Sequence, residues 1–84
     1  MKTKNIEQFV YILLCSDKEL YTGCTSNIQK RLDRHSNGHV PATKSRLPLK
    51  LVTYISFSDK TKAFEFEKYL KSGSGRAFLR KRLI

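Results

Sequence analysis

Glu67 is a carboxylate where an apolar residue would be expected. It follows Ala63 by four residues and precedes Leu70 by three, on the apolar stripe of a helix. A carboxylate in that position needs a cation, either a metal ion or a basic side chain. Lys71 at i+4 offers the second, in a pair worth roughly a few tenths of a kcal/mol. Glu65 falls on another face and reads as solvated. Arg31 and His35, also four apart, share a helix face beside Ile28 and Leu32. A guanidinium held against a core suits bidentate contact with a phosphate, and a histidine one turn away can move a proton near neutral pH. Taken singly, each is equally a charge on a basic helix. Tyr11 and Tyr21 carry phenols that could relay a proton, but with four Tyr and five Phe in the chain, core packing competes for each. Gly23 is more informative. A glycine inside a strand weakens it and often marks a close approach of another group.

The elements that must position these residues follow from patterning. Residues 9–15 (FVYILLC) and 20–25 (LYTGCT) are strand-like runs around a turn at 16–19, which predicts a β-hairpin. Ser26 followed by Gln29 matches a capping box, predicting a first helix with Ile28 and Leu32 inward and Gly38 ending it. Residues 38–48, with two prolines, Lys44 and Arg46, read as an exposed basic loop. Residues 49–57 alternate Leu49, Leu51, Thr53, Ile55, Phe57 against Lys50, Val52, Tyr54, Ser56, a third strand. Ser58 or Asp59 caps a second helix with Ala63, Phe66 and Leu70 inward. Ser72 to Gly75 breaks it, and residues 76–84 form a last helix with Leu79 and Leu83 on one face. The expectation is an α+β fold, β-β-α-β-α-α, with a small three-stranded antiparallel sheet flanked by helices. It forms one domain over residues 1–84 with its core in 9–83.

Parity constrains the hairpin. Side chains alternate along a strand, so Tyr11 and Tyr21 share a face only if paired residue numbers sum to an even value. That requires an odd-length turn or a bulge near Gly23.

Seventeen Lys and Arg against seven Asp and Glu give 84 residues a formal charge of +10. The excess runs along the whole chain, which points to a polyanionic partner, nucleic acid first. Lys44, Arg46, Arg76, Arg80 and Arg82 are the candidate phosphate contacts. Engaging about five phosphates would give log K against log salt a slope of roughly −3 to −5. Two cysteines, Cys15 and Cys24, are too few for a metal ligand set or a disulfide scaffold and read as buried free thiols. Such thiols, no apolar signal region and no run long enough to span a membrane give the expectation of a soluble cytoplasmic protein, monomeric or weakly dimeric.

Together, Val10-Tyr11-Ile12, then Tyr21-Thr22-Gly23, Thr25, Arg31, His35 and Gly38, then Glu67-x-x-Leu70-Lys71 resemble the GIY-YIG nuclease domain. The segment Tyr69 to Arg76 is similar to the small single-domain branch related to the N-terminal nuclease domain of UvrC, with DNA repair as its setting. The resemblance implies a metal-dependent endonuclease acting on nucleic acid, DNA favoured. In it Tyr11 and Tyr21 are the motif tyrosines, Gly23 the motif glycine, Arg31 the phosphate-binding arginine and Glu67 the ligand of one Mg²⁺ or Mn²⁺. His35 matches a position that carries a catalytic or supporting polar group. Phe9 stands where the first motif's glycine is expected, and the asparagine that many members carry after the glutamate has no match between Ser72 and Leu79. The competing reading is a nucleic-acid-binding module of the same fold without catalysis.

Overall fold

The hairpin forms because two β-prone runs flank a five-residue turn. In the computed structural model, which describes residues 7–84, β1 spans Gln8–Leu14 and β2 spans Leu20–Thr25. The first six residues of the expected domain lie outside the described residues. Within the turn, the Asp17 carboxylate accepts from Glu19 N at 3.0 Å and from Arg46 Nε at 2.9 Å. β3, Lys50–Phe57, adds to the other side of β1, giving an antiparallel sheet of order β2-β1-β3. Three helices complete the α+β fold: α1 at Ile28–Ser36, α2 at Lys60–Leu70 and α3 at Gly73–Phe78, which runs on into a π-helical turn at Leu79–Leu83.

The alternation of β1 divides the molecule into two layers. Val10 and Ile12 point to one face and pack with Ala63 of α2, Leu70 at its end, and Leu79, all 3% exposed or less. Val52, Phe57, Phe66 and Phe78 surround this core. Tyr11 and Leu13 point to the other face and are equally buried.

Four local expectations need correcting. α1 is capped by Asn27, whose side chain accepts from Lys30 N at 3.0 Å, and not by Ser26. Thr25 Oγ1 accepts from Asn27 N and so holds the cap in place, which moves the cap one residue along. Strict alternation in β3 fails at a bulge: Ile12 pairs with Thr53 but Leu13 pairs with Leu51, so Val52 joins the core and Leu51 crosses to the Tyr11 face. Ser72 to Gly75 does not separate two helices by a loop. Ser72 caps α3 through Gly75 N, and the helix starts at Gly73. A Cβ on Gly75 would lie 1.7 Å from the Tyr69 carbonyl oxygen, so only glycine lets α3 sit this close to the end of α2. Finally, the segment 38–48 is not simply an exposed loop. It contains a 3₁₀ turn at Lys44–Arg46 and the fully buried Thr43. The expected end of α1 at Gly38 holds. With φ of 74°, Gly38 donates to the His35 carbonyl while His39 donates to that of Arg34, a Schellman closure.

Candidate active site

Tyr11 pairs with Gly23 and Tyr21 with Leu13, so the register sum is even and both tyrosines lie on one face. Their ring centroids are 6.3 Å apart. The Tyr11 ring lies across Gly23, where a Cβ would come within 2.4 Å of Cζ and Oη. That contact is why a glycine interrupts β2 here.

The buried Tyr11 hydroxyl needs a partner, since leaving it unpaired would cost about 1–3 kcal/mol. His35 supplies one, with its Nε2 2.8 Å from Tyr11 Oη. The other ring nitrogen, Nδ1, is 2.8 Å from Thr43 Oγ1. Tyr11, His35 and Thr43 are each 1% exposed or less, so the three form a closed polar chain inside the protein. The Tyr21 ring meets His35 edge-on at 5.2 Å and is half-buried. Helix α1 builds this arrangement through its Schellman end, because the chain that leaves Gly38 returns Thr43 to the imidazole.

Electrostatics fix the resting protonation states. Burial pushes the Tyr11 phenol up to about 12; the adjacent Arg31 guanidinium opposes the rise, while Tyr21 and Glu67 add to it. Burial, then Arg31 and Arg34, hold the His35 imidazole below its ordinary value. At neutral pH the pair is therefore a phenol and a neutral imidazole. Either Tyr11 donates to Nε2 and Nδ1–H donates to Thr43, or Thr43 donates to Nδ1 and Nε2–H to Tyr11.

Arg31 is half-buried and donates from Nη1 to the Cys24 carbonyl at 3.4 Å. Glu67 reaches the same region from α2: its charge and that of Arg31 both act on Tyr11 and on Cys24. The Glu67 side chain is 20% exposed, and its Oε2 lies 3.1 Å from Lys71 Nζ. Tyr11, Tyr21, Arg31 and His35 thus come together, with Glu67 on α2 near enough for its charge to act on Tyr11. Both cysteines are free thiols, Cys15 buried and Cys24 only half-buried.

Beside this group opens a cleft of about 390 Å³, walled by Tyr21, Arg46, Lys71, Arg76 and Arg80 with Glu19 among them. Of the five basic residues expected to contact phosphates, Arg46, Arg76 and Arg80 line it, while Lys44 and Arg82 do not. Arg46 is already ion-paired with Asp17 at 2.9 Å. Two residues at the site were not singled out from sequence. Thr43 sits in a segment without periodicity, so nothing marked it. Lys71 was visible only as a salt-bridge partner.

The GIY-YIG catalytic domain model matches residues 7–81. The chain belongs to the GIY-YIG family. It is similar to UPF0213 protein YsiG of Lactococcus lactis, 44% identical over 66 residues, which cover 77% of this chain and 64% of that protein. A UPF0213 protein of Streptococcus agalactiae is 36% identical over 75 residues, covering 88% of this chain and 85% of that one. The match to the Lactococcus protein thus spans a little under two thirds of its length. The solution NMR structure of a UPF0213 protein from Bacillus halodurans superposes with a TM-score of 0.58 at 32% identity, covering 89% of this chain and 83% of that one. The matched model is that of a catalytic domain, and the match takes in every residue of the site described above. Among the described residues, no helix is long and apolar enough to cross a membrane.

Proposed function

We propose that the chain is a single-domain, divalent-cation-dependent endonuclease that hydrolyses phosphodiester bonds, in DNA foremost, as a cytoplasmic monomer or weak dimer. The observation that carries this reading is the buried Tyr11–His35–Thr43 chain set beside Arg31, Glu67 and a basic cleft. A module built only to bind nucleic acid has no use for a desolvated phenol–imidazole pair or for a carboxylate near the phosphates.

The residues present fit a hard cation. Among the described residues no three His, Cys, Asp or Glu side chains gather as a ligand set. One carboxylate, Glu67, suits Mg²⁺ or Mn²⁺, which keep several waters and take substrate phosphate oxygens. Bound there, the cation would polarise the scissile phosphate and ease attack by water.

The protein's own groups divide the rest. Arg31, fixed against the Cys24 carbonyl, would hold the non-bridging phosphate oxygens and stabilise the charge that develops on them. Tyr21 lines the cleft and would meet the attacking water, taking its proton as the phosphate is engaged. Tyr11 is fully buried, and its phenol is pushed up to about 12, so it is the poorer base. We assign it, with His35 and Thr43, to positioning Tyr21 and Arg31.

Incubating the protein with labelled single- and double-stranded DNA and RNA, in Mg²⁺, Mn²⁺ or EDTA, tests the reading. Cleavage with either cation and none in EDTA is expected, with Glu67→Gln inactive and still able to bind. Tight binding without cleavage of any substrate would leave the binding module as the function.

A further inference from the structure

Lys71 has two neighbours that want it. Its ammonium lies 3.1 Å from Glu67 Oε2, and its side chain also walls the basic cleft together with Arg76 and Arg80. Its side chain is 54% exposed, against 20% for Glu67, so the lysine is the solvent-facing partner of the pair. Arg76 in the last turn of α3 and Arg80 in the π-helical turn that follows stand four residues apart, and Gly75 seats α3 directly on the end of α2. The three cations converge on one space from two helices.

From this juxtaposition we infer that the cleft seats a backbone phosphate flanking the scissile one, and that Lys71 ties its arrival to the cation site. This inference rests on Glu67 as the cation ligand. In the free protein Lys71 occupies the Glu67 carboxylate and competes with the cation for it. A phosphate held by Arg76 and Arg80 offers the ammonium a better partner in the cleft. Lys71 then turns to the phosphate and releases the carboxylate. The cation is admitted chiefly when nucleic acid is in place, by a differential interaction of one lysine with two sites. Lys71 is a positioning residue in this scheme. It acts on the reaction through Glu67.

Mn²⁺ titration followed by the electron paramagnetic resonance signal of the free ion tests this without reading activity. The full chain is titrated alone and with a phosphorothioate oligothymidylate, which keeps its charges and resists hydrolysis. In the wild type, the oligonucleotide should raise Mn²⁺ affinity about fivefold or more. Lys71→Gln should raise affinity about two- to fivefold without oligonucleotide, the scale of a partly exposed ion pair. Lys68→Gln removes the same charge from the same helix without touching Glu67, and should change it by less than about twofold. The double variant Arg76→Ala, Arg80→Ala should weaken oligonucleotide binding and leave the oligonucleotide-free Mn²⁺ affinity unchanged. Equal effects of Lys71→Gln and Lys68→Gln, or none from either, would overturn the latch. Wild-type oligonucleotide affinity in the double arginine variant would overturn the cleft as the phosphate seat. Wild-type Mn²⁺ binding by Glu67→Gln would instead reject the cation-ligand role itself, whatever Lys71 does.

Discussion

The two faces of β1 are built from consecutive residues and held by different physics. Val10 and Ile12 face an apolar layer, where cohesion comes from area removed from water and has no direction. Tyr11 faces a layer in which the polar atoms of Tyr11, His35 and Thr43 are buried against one another at fixed distances. The first layer tolerates changes of shape that keep volume. The second is stable only while its hydrogen bonds are complete, because a half-satisfied network loses the desolvation cost of every orphaned group. A strand of seven residues thus carries the fold on one side and the chemistry on the other.

Substitutions should separate the two faces. The largest effect is expected on activity from Arg31→Ala, a loss of about a hundredfold or more in cleavage rate, with weakened binding, since a transition-state contact is removed. Unfolding curves should show little change beyond about 1 kcal/mol. Next comes Ile12→Ala, at about 2–4 kcal/mol of stability, with cleavage per folded molecule close to wild type. If Ile12→Ala lost cleavage while still folded, the two faces would not be independent.

Tyr11→Phe should cost about 1–3 kcal/mol, because His35 Nε2 loses its partner in a sealed site. It should also slow cleavage, with Mn²⁺ affinity unchanged. A smaller effect follows from pH. The folded His35 binds its proton less readily than the unfolded chain does, so the unfolded state takes up more protons as pH falls below about 7. Stability should therefore decline from about pH 7 toward the depressed folded value and level off below it. Tyr11 adds the mirror case: stability should fall between about pH 10 and 12, where the unfolded phenol ionises first. Thermal unfolding across these ranges checks both, and a His35→Gln variant should flatten the acid limb. The smallest effect concerns Arg46. Asp17 already neutralises it, so Arg46→Ala should change the salt slope of nucleic-acid binding less than Arg80→Ala does.

Much of this was legible because strands and helix faces are periodic. The hairpin, the inward stripe of Ala63, Phe66 and Leu70, and the α+β order follow from repeats of two and about 3.6 residues. Parity set the condition under which Tyr11 and Tyr21 share a face, which the register meets, and Gly23 announced a close approach that turned out to be the Tyr11 ring. What periodicity could not show were the departures from it. The bulge at Val52 is set by how β3 fits β1, and the burial of Thr43 by where the chain after Gly38 returns. Ser72-Gly73-Ser74-Gly75 reads as a breaker by propensity, yet Ser72 caps α3 and Gly75 serves contact between helices. Those are tertiary facts.

The bulge has one more consequence. β3 is an edge strand, and among the described residues no further strand pairs with its outer side. It also carries exposed Leu51 and Tyr54, so a flat, regular β3 would offer another chain a ready template for strand addition. The extra residue at Val52 bends that edge out of register, and Lys50 adds a charge that a stacking neighbour would have to bury. The irregularity that draws Val52 into the core thereby makes this edge, with its exposed Leu51 and Tyr54, a poor template for a fourth strand.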